Sequence, residues 1–235
     1  MLDKSTSQGG NYILASLTPE EHERLAPHLQ SVELPHGQIL HEAGERVKHV
    51  YFPLKSMISL VAHSAQGESV EVGVVGFEGM AGICVILGVD QSPHEAMVQI
   101  HDGAVRISAQ ALREEFKRGG ALHDRLLRYT QGLLLHTSQL AACNRLHSVS
   151  ERLARWLLMS YDRCVCEDLP LTQEFLSLML GVRRAGVTEA ATVLQAQGYI
   201  QYKRGHIQII DRAGLEDYSC DCYRIVKAEF DLLAS

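Results

Sequence analysis

Nowhere does this chain string together about 18 apolar residues, so no membrane-spanning helix is expected and no membrane partner. Its opening segment, MLDKSTSQGGNY, lacks the apolar centre of a signal peptide. Six cysteines without a secretion signal suit a reducing cytoplasm, which is the expected location. The cysteines also lack the Cys-x2–4-Cys spacing of a usual structural zinc site. Cys84 and Cys143 stand alone, and Cys164/Cys166 and Cys220/Cys222 form Cys-x-Cys pairs. Buried free cysteines are common, so no metal ligand is expected among them. His36, His41, Glu42 and His49 lack the close His-x-His spacing of a cupin-type metal enzyme. No P-loop, GxSxG or HExxH motif occurs, and no paired carboxylates sit in a catalytic context. Neither an enzyme nor a resident cofactor is expected.

What is present is a chain of 235 residues, long enough for two domains with their own cores. The formal net charge is −6, unpromising for a nucleic-acid binder until its distribution is read. Residues 170–210 hold four cations (Arg183, Arg184, Lys203, Arg204) and two anions (Glu174, Glu189), a balance of +2 that leaves −8 for the rest. An acidic body with a locally basic head favours docking in one orientation. It also predicts weak non-specific binding, because few phosphates are neutralised.

That basic head reads LTQEFLSLMLGVRRAGVTEAATVLQAQGYIQYKRGHIQII over 171–210. Thr172 is a good N-cap, because its hydroxyl can accept a free backbone N–H. Leu176, Met179 and Leu180 share one helical face, and Gly181 supplies a turn. A second helix follows, with Val187, Ala190, Ala191 and Leu194 inward and Gly198 as its C-terminal stop. Arg183, Arg184, Thr188, Glu189 and Thr192 face outward. Alternating residues on both sides of Lys203-Arg204-Gly205-His206 predict a hairpin with a cationic tip. The layout is a winged helix-turn-helix, in which the second helix enters the DNA major groove. The plainer alternative is a small helical packing unit with a solvated basic loop.

The segment resembles the C-terminal domain of the Crp/Fnr family of bacterial transcription regulators, through Thr172, Glu174 (shifted by one), Gly181, Val182, Arg184, Val187, Leu194, Gly198 and Ile200. The resemblance implies that Arg184 reads guanine, with Arg183, Thr172, Lys203 and Arg204 on phosphates, on double-stranded DNA. RNA polymerase is a further candidate partner. Members related to the cyclic-AMP receptor protein carry an acidic residue where this chain has Ala185, and a second arginine where it has Glu189. A different target sequence is therefore expected.

Towards the N-terminus, Thr18-Pro19-Glu20-Glu21 is a capping box opening a helix to about residue 29. Short β-rich runs follow at His49–Phe52, Met57–Ala62, Val70–Val75, Gly82–Leu87 and Ala96–Ile100, punctuated by glycines, which predicts a β-sandwich or roll. Gly37, Gly44-Glu45, Val50-Tyr51-Phe52 and Gly103 extend the resemblance to a cyclic-nucleotide-binding-type β-roll. In nucleotide-binding members a Gly-Glu pair holds the ribose and an Arg-Ser/Thr pair the phosphate. Glu78 and Gly79 match the first part, as a candidate effector pocket. No arginine fills the second, and Glu95 would repel a phosphate, so cyclic AMP is not the expected effector. The effector is otherwise unassigned. On the plainer reading, Glu78, Gly79 and Gly82 only shape a turn.

Between these halves Leu122, Leu126, Tyr129, Leu133, His136, Leu140, Cys143 and His147 alternate at spacings of four and three, a coiled-coil seam. The seam predicts a homodimer through Leu122, Leu126, Tyr129, Leu133, His136 and Leu140, in line with the family's mode of pairing. The expected fold is therefore α+β: an N-terminal β-roll (double-stranded β-helix) sensor domain over 1–120, a long dimerisation helix over 121–146, and a C-terminal winged helix-turn-helix domain over 147–235. The competing reading is a metal- or redox-responsive module, or a β-roll enzyme, that does not read DNA.

Overall fold

The computed structural model describes residues 10–164 and 169–234; Cys166 lies outside them. A one-turn helix α1 (Tyr12–Ala15) is capped by Asn11. Helix α2 (Pro19–Leu25) opens on the expected capping box between Thr18 and Glu21, and a 3-10 turn at Ala26–His28 completes it. Seven strands follow: β1 (Gln30–Leu34), β2 (Ile39–His41), β3 (His49–Pro53), β4 (Met57–His63), β5 (Ser69–Val75), β6 (Glu95–Ile100) and β7 (Asp102–Ser108). They form two antiparallel sheets, ordered β1-β7-β3 and β2-β6-β4-β5. Leu34, Tyr51, Ile58, Val75, Val98 and Ala104, drawn from both sheets, share one core, so this half is the expected β-roll.

One expected strand is absent. The run Gly82–Leu87 holds a 3-10 turn at Ile83–Val85, entered through Gly82 at φ 103°. Val85 and Ile86 donate back to Gly82 and Ile83. An apolar run this short is buried in either conformation, and the left-handed glycine settles it as a turn.

Helices α3 (Ala109–Lys117), α4 (Ala121–Leu146) and α5 (Val149–Arg163) connect the halves. Gly120 offers α4 no side-chain cap. Glu21 serves instead, accepting from Leu122 N–H at 3.0 Å while its other oxygen caps α2. Helix α4 breaks at His147, and Ser148 with Glu151 forms a second capping box for α5. The winged segment comprises β8 (Leu169–Pro170), α6 (Gln173–Leu180), α7 (Arg184–Ala196), β9 (Ile200–Lys203) and β10 (His206–Ile209), with sheet order β8-β10-β9. Helices α8 (Arg212–Tyr218) and α9 (Cys222–Ala234) end it.

Helix α9 packs along α4, and this corrects the seam reading. Leu122, Leu126, Tyr129, His136 and Leu140 are buried within a single chain, and Leu133 is half-buried. Phe230 of α9 packs on Tyr129 and meets the His136 ring edge-on. A Cβ on Gly132 would stand 3.1 Å from Leu233. Leu133 reaches β5 beside Gly73. The periodicity is real, but the face it marks is covered by the chain's own α9 and β-roll. The apolar residues of α4 left exposed are Leu127, Leu134, Ala141 and Leu146.

Helix α5 is enclosed. Leu153, Ala154, Leu157 and Leu158 have no solvent exposure, and Arg152 through Ser160 are all buried. It packs against α6, α7, α8 and α9. Trp156 Nε1 donates to Glu71 of β5 at 2.9 Å.

Candidate functional site

Thr172 caps α6 by accepting from Phe175 N–H at 3.1 Å, and Gly181 ends it at φ 60°. That glycine abuts the β-roll: a Cβ there would stand 2.9 Å from Val70. Arg183 occupies the N-cap position of α7. Val187, Ala190, Ala191 and Leu194 face the core as expected, and Arg183, Arg184, Thr188, Glu189 and Thr192 are exposed. Thr188 donates to the Arg184 carbonyl at 3.1 Å and Thr192 to the Thr188 carbonyl at 2.8 Å. Their hydroxyl protons are thus used within the helix. Outward, each threonine offers an acceptor and a methyl group.

The wing is the predicted hairpin. Lys203 pairs with His206 across a two-residue turn made by Arg204 and Gly205. Both turn residues have positive φ, 53° and 82°, as a type I′ turn requires. Arg204 is the only non-glycine residue with positive φ among the described residues. Such a position suits Asn or Gly better than Arg, by about 1–2 kcal/mol. The turn lies close to Thr172, 3.8 Å from a Cβ placed on Gly205.

Two residues that sequence reasoning missed hold this surface together. Gln173 accepts from Arg184 Nε at 3.2 Å, orienting the guanidinium. Tyr202 donates its hydroxyl to the Leu171 carbonyl at 2.9 Å, pinning the wing to the start of α6. The phenol's pKa is raised by burial, against the opposing charge of Arg184. No local sequence signal marks the Tyr202 contact, because it joins segments 31 residues apart.

The candidate effector residues are occupied otherwise. Glu78 is buried, and its Oε1 accepts from Arg163 Nε of α5 at 2.6 Å and from Gly76 N–H at 3.2 Å. Gly79 is roofed by Tyr129, whose ring would collide with a Cβ at that position. Glu78 therefore binds α5 and Gly79 admits a tyrosine ring, so the reading of this pair as a ligand cassette is corrected. A cavity of about 30 Å³, lined by Phe77, Glu78, Met159, Arg163, Val226 and Phe230, lies beside them. Arg113, Arg106 and Glu95 are engaged too. Arg113 pairs with Asp90, Arg106 donates to Gln30 at 3.1 Å, and Glu95 faces His63 at 3.3 Å.

Among the described residues, the His, Cys, Asp and Glu side chains close enough to share a metal ion are Cys143, His147, Cys220 and Cys222. His36, His41, Glu42 and His49 form no such group.

Residues 151–218 match the Crp-like helix-turn-helix domain, and the chain has the fold of Crp/Fnr-family regulators. FixK2 from Bradyrhizobium japonicum superposes with a TM-score of 0.70 at 16% identity, covering 82% of this chain and 98% of FixK2. A Crp/Fnr-family regulator from Eubacterium rectale gives 0.69 at 17%, over 88% and 98%. The c-di-GMP-responsive regulator CLP from Xanthomonas campestris gives 0.64 at 17%, over 82% and 99%. No curated protein sequence is similar to the chain. No helix among the described residues is long and apolar enough to cross a membrane.

Proposed function

We propose that this protein is a sequence-specific transcription regulator, without enzymatic activity, that binds an inverted-repeat operator as a homodimer and does not respond to cyclic AMP. The observation that carries the reading is the exposed face of α7. Arg183, Arg184, Thr188 and Glu189 are all exposed on it, beside a wing turn that keeps an arginine in a backbone conformation glycine would adopt more easily. Arg184 would fork onto guanine, and Glu189 would accept from a cytosine amine. Arg183, Thr172, Lys203 and Arg204 would hold phosphates.

Pairing is assigned to the outer face of α4. Leu127, Leu134 and Ala141 recur every seven residues, and the two leucines are 44% and 60% exposed. A second copy of the same stripe would cover them. Two recognition helices related by a two-fold axis would then meet successive major grooves, with half-site centres about 10 bp apart.

The test is selection of random duplexes on the purified protein. Enrichment of an inverted repeat with that spacing is expected. Equal retention of all duplexes would end the proposal.

A further inference from the structure

Cys143 and His147 stand one turn apart at the end of α4, while Cys220 and Cys222 flank the start of α9. We propose that these four side chains form a tetrahedral Cys3His site for a single zinc-type divalent ion. It would clamp α9 to α4 at the point where the chain leaves for the winged segment and returns from it.

The distances fit one ion. Zn–S and Zn–N bonds of about 2.3 and 2.0–2.1 Å set the edges of such a tetrahedron at roughly 3.5–3.8 Å. Cys143 Sγ lies 3.5 Å from Cys220 Sγ, and Cys222 Sγ lies 3.5 Å from His147 Nδ1. All four ligand atoms fall within 4.8 Å of one another. An iron–sulfur cluster spreads its ligands over several iron ions and needs a wider frame.

The surroundings fit the charge. Three thiolates around a divalent cation carry a net charge of −1. Arg152 and Arg155 of α5 are 8% and 3% exposed. Each has an Nε without a hydrogen-bond partner, and no carboxylate pairs with either among the described residues. Both lie within electrostatic reach of Cys143. Arg152 also donates to the Leu180 carbonyl and Arg155 feels the Glu71 carboxyl of β5, but buried guanidinium groups without a closely paired charge are disfavoured, and an anionic metal–thiolate centre supplies that charge to both. Gln139 Nε2 is 3.2 Å from Cys222 Sγ, the kind of outer hydrogen bond that orients a metal ligand. The three cysteines are buried and His147 is half-buried, which leaves a path for the ion on the histidine side.

The test uses the full-length protein, purified under reducing conditions and analysed by elemental mass spectrometry. About one zinc per chain is expected. Chelator-treated protein should take up one equivalent of cobalt and develop the visible bands of a tetrahedral thiolate site. Cys220→Ser and His147→Ala should abolish that spectrum, and Cys84→Ser should leave it intact. Should the first two variants fail to fold, cobalt titration of the chelated wild type still decides. Failure of that protein to take up either metal overturns the proposal, as does iron with labile sulfide, or a Cys143–Cys220 disulfide in anaerobically prepared protein. The site is independent of DNA binding, so none of these outcomes bears on the operator.

Discussion

Arg163 Nε donates to Glu78 Oε1 across 2.6 Å, with the two side chains 7% and 6% exposed. This ion pair ties a turn of the β-roll to the last turn of α5, and Phe230 lies beneath the guanidinium, 5.2 Å from ring centroid to Cζ. Glu78 Oε2 has no partner, so the pair is incompletely solvated by the protein.

Removing one partner leaves the other charge buried alone. Glu78→Leu should therefore cost about 3–5 kcal/mol, whereas Glu78→Leu combined with Arg163→Met should recover most of that loss. Urea unfolding of the two single variants and the double variant measures both. Additive costs would show that the pair is not coupled.

The outer face of α4 gives a contrast between neighbouring leucines. Leu134→Glu should yield a folded monomer that loses operator affinity, since the residue touches solvent in the single chain. Leu126→Glu should instead lower stability by several kcal/mol, because a charge would enter the core. Light scattering alongside thermal melts separates the two, and a dimeric Leu134→Glu protein would rule out this interface.

On α7, Arg184→Ala should cost about 1–3 kcal/mol in operator binding and relax one base pair, whereas Arg204→Ala should weaken all duplexes and flatten the salt dependence. Glu189→Ala is the sharper case. Loss of discrimination at one position with stronger non-specific binding identifies a base contact, and uniformly tighter binding identifies a solvent-facing charge. Unchanged specificity in both Arg184→Ala and Glu189→Ala would mean that α7 does not read DNA.

Burial pushes the Glu71 carboxyl up to about 7, against hydrogen bonds from Ser59 and Trp156 that favour its charge. Its folded pKa exceeds the unfolded value of 4.5. The stability it contributes is therefore full below about pH 4.5 and lost as pH rises towards 7. His136 has the opposite sign: burial, then the charges of Arg163 and Arg155, hold its pKa well below 6.5. Its contribution is present above 6.5 and falls as the solution is acidified. Glu71→Gln should accordingly gain on the order of 2–3 kcal/mol at pH 8 and flatten the decline between pH 5 and 7. Parallel wild-type and variant curves of unfolding free energy against pH would contradict this.

The helix starts and turns were legible because their signals are local. Thr18 and Glu21, Ser148 and Glu151, and Thr172 lie within a few residues of what they cap, and Gly181 and Gly205 mark turns by themselves. The long-range partners were not legible. Heptad spacing located the buried face of α4, but spacing cannot say whether a second chain or α9 covers it, and no sequence reading assigned α9. Glu78 and Arg163 are 85 residues apart, so nothing in the spacing pairs the carboxylate with its arginine. Cys143 and Cys220 are separated by 77 residues. Spacing between cysteines along the chain therefore brings only Cys220 and Cys222 of the four side chains together, and pairs them as Cys-x-Cys.

Helix α5 has almost no solvent side into which it could yield. A surface helix can tilt by small amounts while water fills the gap, but an enclosed one moves only when several neighbours exchange one packed arrangement for another. Because α5 touches both the β-roll and helices α6 and α7, communication between the two ends would proceed in discrete steps. Titration with any effector should then give the same midpoint whether it is followed at the β-roll or at the winged segment, with neither end moving ahead of the other.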